Sequence, residues 1–262
     1  MDLLDRDRVR SIVRQLRPQA VYHCAGLPHV AESWGASGRS LEINALGTHH
    51  LLDAVRRAES PCRVLVVGSA TVYAPSTSPL TEDAPIAPRS PYGRSKLAQE
   101  LIGLRGSIED GVDVIVTRTF NHTGPRQTPA FVAPSIARQI ALIERGRHDA
   151  VKVGNIDAVR DLSDVRDVVR AYAALMAHGT PGLVYNIASG VGHSIRSVLD
   201  TLVARARTPV RVESDPTRLR AHDTPRVIGD ATRLKQATGW QPAISFEQMF
   251  GDLLEYWRAR IA

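Results

Sequence analysis

Cysteine is almost missing from this chain of 262 residues: there are only two, Cys24 and Cys62. Both sit in apolar, strand-like runs, which excludes a disulfide framework and reads as reduced, buried thiols in a cytoplasmic protein. Aromatic residues are scarce at 5%, and the basic residues are scattered rather than clustered with aromatics, which argues against a nucleic-acid surface. No apolar run approaches the roughly 20 residues that span a bilayer, and no basic-then-apolar leader opens the chain. The nine histidines form no His-x-x-x-His or Cys/His metal spacing, so no metal is expected. No Gly-x-Ser-x-Gly elbow of a hydrolase occurs. Lysine is also scarce: Lys96, Lys152 and Lys235 are the only three among 33 basic residues. The formal net charge of +6 therefore reflects a preference for arginine, with a few arginines free to hold an anionic ligand.

What is there is a regular alternation. The length fits one large α/β domain, or one domain with a smaller lobe. The opening "MDLLD" reads as the end of a strand running into a helix capped by Asp5, with Val9, Ile12, Val13 and Leu16 at helical spacing. Strands are expected at Ala20–Gly26, Arg63–Ser69 and Val112–Phe120. Helices are expected at Arg39–Ala58 and from Pro91 to about Arg105. Apolar runs alternating with amphipathic helices mean a parallel sheet covered on both faces, a Rossmann-like doubly wound α/β fold. After Phe120 the rhythm changes. Residues 1–120 read as the sheet-bearing part and 121–262 as mainly a smaller lobe at the sheet's carboxyl edge, where such folds bind ligands. Strands near 160–163 and 183–188 are expected to return to the first part.

Chemistry gathers in "SPYGRSK", which places Tyr92 and Lys96 four apart, on one helix face. The preceding strand ends in "GSATVY" and presents Ser69 at the carboxyl edge of the sheet. A tyrosine hydroxyl is a poor base at its usual pKa near 10. A lysine ammonium one turn away favours the phenolate and lowers that pKa. With a serine hydroxyl bonded to the substrate oxygen, the three can move a proton to or from a carbinol or carbonyl oxygen.

In order along the chain, "HCAG", "INALGT", "GSATVY", "SPYGRSK", "TRTFNHTGPRQ", "VGNIDAVRDLSDVRDVV" and "ATGWQP" resemble the extended short-chain dehydrogenases/reductases. The group is that of the nucleotide-sugar epimerases and dehydratases. "FNHTGP…VGNIDAVRD" is most similar to the branch acting on GDP-mannose and GDP-4-keto-6-deoxymannose. The resemblance implies an NAD or NADP cofactor, a nucleotide-sugar substrate that is GDP-linked, and a homodimer or homo-oligomer. It implies that residues 1–120 are the dinucleotide-binding part and that 121–262 mainly take the substrate. It implies that Ser69, Tyr92 and Lys96 are catalytic, with Lys96 also holding the nicotinamide ribose. Asp2 and Leu3 match the pair that meets the adenine. Ala25 and Gly26 match the pyrophosphate side, Asn44 a position near the cofactor, and Phe120 one beside the nicotinamide. Asn121 would contact the sugar nucleotide, and Arg160 and Arg220 would grip its diphosphate. Taken singly, each arginine reads as a solvated surface charge, Asn121 as a turn residue and Phe120 as core packing.

Two departures from the family pattern bear on function. Its dehydratases carry an acid just after the strand-end Ser/Thr to protonate a leaving hydroxyl, whereas Ser69 is followed by Ala70, Thr71 and Val72. Reduction of a 4-keto sugar, or epimerisation through a 4-keto intermediate, needs no such acid. The family also begins with a strand, a Gly-x-x-Gly-x-x-Gly turn and a helix whose N–H groups cradle a pyrophosphate. "MDLLD" matches it only downstream of that turn. At least the roughly 30 residues of one βαβ unit are expected upstream, with Met1 an internal or misassigned start. The alternative is a catalytically impaired remnant that serves as a sugar-nucleotide-binding or assembly subunit.

Overall fold

The apolar runs assemble into a parallel sheet. The computed structural model describes residues 1–219 and 224–261. In chain order its elements are α1 (Arg6–Leu16), β1 (Ala20–His23), α2 (Ser37–Leu41), α3 (Gly47–Arg57), β2 (Arg63–Val67), α4 (Pro91–Ile108), β3 (Asp113–Thr119), β4 (Asn121–Thr123), α5 (Val132–Ile143), β5 (Ala150–Val153), β6 (Val159–Asp164), α6 (Val165–His178), β7 (Val184–Ile187), β8 (Gly192–Ser194), α7 (Ile195–Val203), β9 (Arg211–Ser214), β10 (Arg226–Val227), α8 (Thr232–Thr238) and α9 (Phe246–Ile261). The main sheet has the order β1-β2-β3-β7, all parallel, with Val64 opposite Val21 and Val114, and Val116 opposite Val184.

Strand periodicity decides which helix covers which face. Val64, Val66, Val114 and Val116 point to one side and pack with Val9 and Val13 of α1 and Leu51, Leu52 and Val55 of α3. Leu65 and Ile115 point to the other and meet Val168 and Leu175 of α6 and Leu234 of α8. The sheet is therefore covered on both faces, which is why its strands read as continuous apolar runs. A second core lies between α5, α7 and α9, where Ile136, Ile140, Leu199, Leu202, Phe250 and Leu253 close over Val151 of β5.

Several expectations shift in detail. Residues 3–4 form a turn rather than a strand end, and the Asp5 carboxylate caps α1 by accepting from the Arg8 N–H at 3.0 Å. The long helix expected over 39–58 is α2 and α3 joined by a π-turn, Glu42–Leu46. β7 joins the main sheet beside β3, whereas β6 lies in a smaller sheet between β10 and β4, with β8 also paired to it. The cysteines are free but not buried: Cys24 is exposed and Cys62 half-buried. β1 is an edge strand, so residues at its carboxyl end have a sheet neighbour on one side only.

The placement of α4 against β3 depends on a charge pair inside the protein. Arg118 of β3 and Glu100 of α4 meet in two hydrogen bonds of 2.6 and 2.9 Å, with side chains only 5% and 2% exposed. The same guanidinium donates to the Glu82 carbonyl at 2.8 Å and lies 4.7 Å from the Tyr73 ring centre. Removing one member strands a buried charge. Arg118→Leu should lower unfolding stability by about 3–5 kcal/mol, measured by urea denaturation. Arg118→Met combined with Glu100→Leu should recover most of that loss.

Candidate active site

Ser69 stands where β2 ends. Its backbone is extended (φ −151°, ψ 144°) and its hydroxyl accepts from the Thr71 N–H and Thr71 Oγ1, at 3.3 and 3.0 Å. The preceding Gly68 lies so close to β3 that an added Cβ would fall 2.1 Å from the Thr117 carbonyl oxygen. Only glycine lets the chain pass there, and the passage sets the position of Ser69.

Helix α4 delivers the other two groups. Ser90 caps it by accepting from the Gly93 N–H at 3.0 Å, and Pro91 occupies its first turn. Tyr92 follows, its N–H donating to Ser33 Oγ at 3.1 Å, while Ser33 Oγ donates to the Val30 carbonyl at 2.7 Å. The Ser69 side chain is the neighbour that favours the ionised form of the Tyr92 hydroxyl. The Lys96 ammonium, 6% exposed, donates to the Val67 carbonyl at 2.5 Å and to Gln99 Oε1. Ser69, Tyr92 and Lys96 thus converge at the carboxyl edge of the sheet.

Electrostatics at the site differ from the sequence expectation in one respect. Burial pushes the Tyr92 pKa up from 10, and the opposing influence is the Ser69 hydroxyl, not Lys96. The Lys96 ammonium is engaged by Val67 and Gln99 instead. Burial also pulls Lys96 itself down to about 8, with nearby Cys24 acting the other way.

Asn44 and Gly26, singled out separately in the sequence, belong together. Asn44 Oδ1 accepts from the Leu27 N–H at 2.8 Å, and its Nδ2 donates to Ser95 Oγ at 2.9 Å. Ser95 Oγ donates to the Tyr92 carbonyl at 2.8 Å. Asn44 therefore ties the loop after β1 to the first turn of α4. A Cβ on Gly26 would lie 2.7 Å from Asn44 Oδ1, so this close approach needs glycine. Ala25 is exposed beside it. Asp2 and Leu3 lie against the start of α3. The Leu3 carbonyl accepts from His50 Nδ1 at 2.9 Å, and its Cβ packs on Gly47. Asp2 accepts from the Leu4 N–H at 3.0 Å.

The remaining expected residues, Phe120 for the cofactor and Asn121, Arg160 and Arg220 for the substrate, are more dispersed. Phe120 is 3% exposed and packs against Tyr73 and Gly229. Asn121 opens β4, exposed, opposite Leu162 of β6. Arg160, two residues before Leu162, is half-buried and pairs in register with His193 and Val227. Arg220 lies outside the described residues.

A cleft of about 660 Å³ opens elsewhere, lined by Arg138, Lys152, Arg211 and Arg218 among others, with Glu213 and Asp149 as its acids. Its Pro129–Ala130 wall adjoins Phe131, whose ring stacks on His29 at 5.2 Å. His29 shares a loop with Ser33, which holds the backbone of Tyr92. These cleft residues escaped the sequence reading because they are ordinary arginines at no telling spacing. Ser95 and Gln99 were findable, since both lie within one helical turn of Lys96.

Known proteins resemble this chain over nearly its whole length. The family model described as GDP-mannose 4,6 dehydratase matches residues 1–253. The chain is 39% identical over 264 residues to the GDP-6-deoxy-D-mannose reductase of Pseudomonas aeruginosa, covering 99% of this chain and 86% of that one. The GDP-mannose 4,6-dehydratase of Vibrio cholerae is 26% identical, over 97% and 76%. The solved structure of RMD from P. aeruginosa complexed with NADPH superposes with a TM-score of 0.93 at 38% identity, over 99% and 87% of the two chains. UDP-glucose 4-epimerase from Thermotoga maritima, with UDP-glucose, gives 0.89 at 27% identity, over 100% and 84%. The fold and the Ser–Tyr–Lys site define an extended short-chain dehydrogenase/reductase, and the chain belongs to the GDP-mannose 4,6-dehydratase family.

One titration follows from the buried surroundings of the site. His23, 3% exposed, has its pKa lowered to about 4 by burial, helped by the Lys96 charge. The unfolded value is 6.5, so between the two the unfolded chain binds the extra proton. This group's contribution is present above pH 6.5 and falls away towards pH 4. Relative to His23→Gln, which keeps a donor for Thr48, the parent should lose about 2–3 kcal/mol of stability between pH 7 and 4.5. Urea unfolding at the two pH values measures the difference.

Proposed function

We propose that this protein is an NAD(P)-dependent nucleotide-sugar oxidoreductase that reduces the 4-keto group of a GDP-4-keto-6-deoxy-hexose. The observation that carries this is the convergence of Ser69, Tyr92 and Lys96 at one sheet edge, with Ala70, Thr71 and Val72 after the serine and so no adjacent acid for dehydration. The reductase name and the NADPH complex of the P. aeruginosa relatives point the same way. An intact constellation favours an enzyme over a binding remnant.

The residues present suit a dinucleotide's nicotinamide half. Gly26 lies close against Asn44, which ties its loop to Ser95 of α4, and Tyr92 and Lys96 flank Ser95 one turn apart. Ala25, Gly26, Asn44, Lys96 and Phe120 would line the cofactor, with Asp2 and Leu3 towards its adenine, whether NAD or NADP. Bound there, it supplies the hydride. The protein supplies the proton and the alignment. Ser69 donates a hydrogen bond to the ketone oxygen, and Tyr92 hands its phenolic proton to that oxygen as it becomes an alkoxide. Lys96, held by Val67 and Gln99, would hold the nicotinamide ribose.

For the sugar nucleotide, Asn121, Arg160 and Arg220 are joined by Arg138, Lys152 and Arg218 of the basic cleft, whose donors suit a diphosphate. We also assign residues 1–120 with β7 to the cofactor and the remainder mainly to the substrate. Leu101 and Ile108, seven apart on one face of α4 and 57% and 76% exposed, support pairing with a second copy. No described helix is long and apolar enough to cross a membrane, and the free thiols suit the cytoplasm.

Tyr92→Phe should slow turnover of the GDP-4-keto-6-deoxy sugar by about 10²–10⁴-fold while GDP binds as in the parent. Stopped assays of reduced nicotinamide consumption and calorimetry with GDP measure the two, and parental turnover by the variant would refute the proton-transfer role. In the same calorimetry, Arg160→Ala and Arg138→Ala should each weaken GDP by about ten- to a hundredfold. Unchanged affinity in either returns that arginine to the surface, and a parent that prefers UDP overturns the GDP assignment.

A further inference from the structure

The third functional group of the site, Lys96, is itself held by residues that proton transfer does not touch. Gln99 is fully buried, and so is Thr48 of α3. Lys96 donates to Gln99 Oε1, Gln99 Nε2 donates to Thr48 Oγ1 at 3.0 Å, and Thr48 Oγ1 donates to the Asn44 carbonyl at 2.6 Å. His23 Nε2 lies 2.8 Å from the same Thr48 oxygen. One assignment of protons satisfies every contact. An ammonium has only donors, so the amide oxygen of Gln99 must face it and the amide nitrogen must face Thr48. With its own proton given to Asn44, Thr48 has two lone pairs, and Gln99 and neutral His23 fill them.

We propose that Gln99 is a positioning residue for Lys96, its amide locked in one orientation by Thr48, and that it fixes the place of the ammonium during proton transfer by Tyr92. Lys96 and Gln99 are neighbours on one face of α4, three residues apart. The Val67 carbonyl and the Gln99 amide take two of the three N–H bonds, which sets the direction of the third. A lysine stem is otherwise long and flexible, and without the amide oxygen its head would have one protein anchor. The other titratable groups around it are His23 and Cys24 of the β1 end and Tyr92 of α4 itself. Glu100 next to Gln99 is committed to Arg118.

The idea rests on the reductase reading for its catalytic consequence, but its first test needs no substrate. Because the chain has three lysines and Lys152 and Lys235 are exposed, carbon-13 labelling of lysine Cε gives three signals, two of them internal standards. In Gln99→Met, which keeps length but removes the acceptor, the Lys96 pKa should fall by about one pH unit. In Gln99→Glu, which keeps the acceptor and adds charge, it should rise by about as much. The alkaline limb of kcat should move with it in each variant, while KM for the sugar nucleotide stays within about twofold. Thr48→Val, which unlocks the amide without touching Lys96, should shift the pKa in the same direction as Gln99→Met, by less, and serves if Gln99→Met fails to fold. A Lys96 pKa unmoved in Gln99→Glu and in whichever of the other two folds would overturn the positioning role. A pKa that moves as described, in a parent that turns over no GDP-4-keto-6-deoxy sugar, would support the positioning role and overturn the substrate assignment instead.

Discussion

The buried ion pair between Arg118 and Glu100 is the constraint on which the site depends. It joins β3 to α4 one turn beyond Lys96, so it fixes the helix that carries Tyr92 against the sheet that carries Ser69. The Arg118 guanidinium also bonds the Glu82 carbonyl and covers Tyr73, which steadies the chain running on from Ser69. Tyr73 donates to Asn186 Oδ1 at 2.6 Å, and Asn186 donates in turn to the Leu80 carbonyl at 2.8 Å. Three separate pieces of the chain are thereby referred to one planar cation. Such a pair gives little net stability compared with an apolar contact of the same volume. Its value here is geometric, because its two hydrogen bonds tolerate one relative placement of helix and strand.

Around that anchor the site is built of uncharged groups. Ser33, Asn44, Thr48, Ser95 and Gln99 carry the connections, and each is at most 2% exposed. Only Lys96 brings charge. In a site of low dielectric a second fixed charge would alter the proton affinity of Tyr92 strongly, whereas hydroxyls and amides can hold geometry without doing so. The price is that every donor must find its acceptor, since a half-satisfied buried network is costlier than none.

Much of this was legible in the sequence. The alternation of apolar runs and amphipathic helices fixed the doubly wound sheet because each strand is buried on both faces. The placement of Tyr92 and Lys96 on one helical turn and of Ser69 at a strand end was legible because both signatures are local. What escaped depends on contacts between distant residues. Asn44 could be placed near the cofactor by resemblance, but its bonds to Leu27 and Ser95 come from three-dimensional packing. β4, β8, β9 and β10 have no more than four residues each, too few to show a period. The reading of Lys96 as the group that lowers the Tyr92 pKa presumed that helical spacing alone decides contact. The structure shows that a flexible ammonium goes where acceptors are.

The π-turn at Glu42–Leu46 has a consequence for how this region tolerates change. A π-turn holds one residue more than the α-helical path it replaces, and each residue advances an α-helix by roughly 100°. The helical phase of everything after Leu46 is therefore set by that one surplus residue. With it, Thr48 faces Gln99, His50 faces the Leu3 carbonyl, and Leu51 and Leu52 face the sheet. Loss of a single residue from 42–46 would rotate α3 as a rigid cam, turning all of these contacts away together while leaving the composition of the helix almost unchanged.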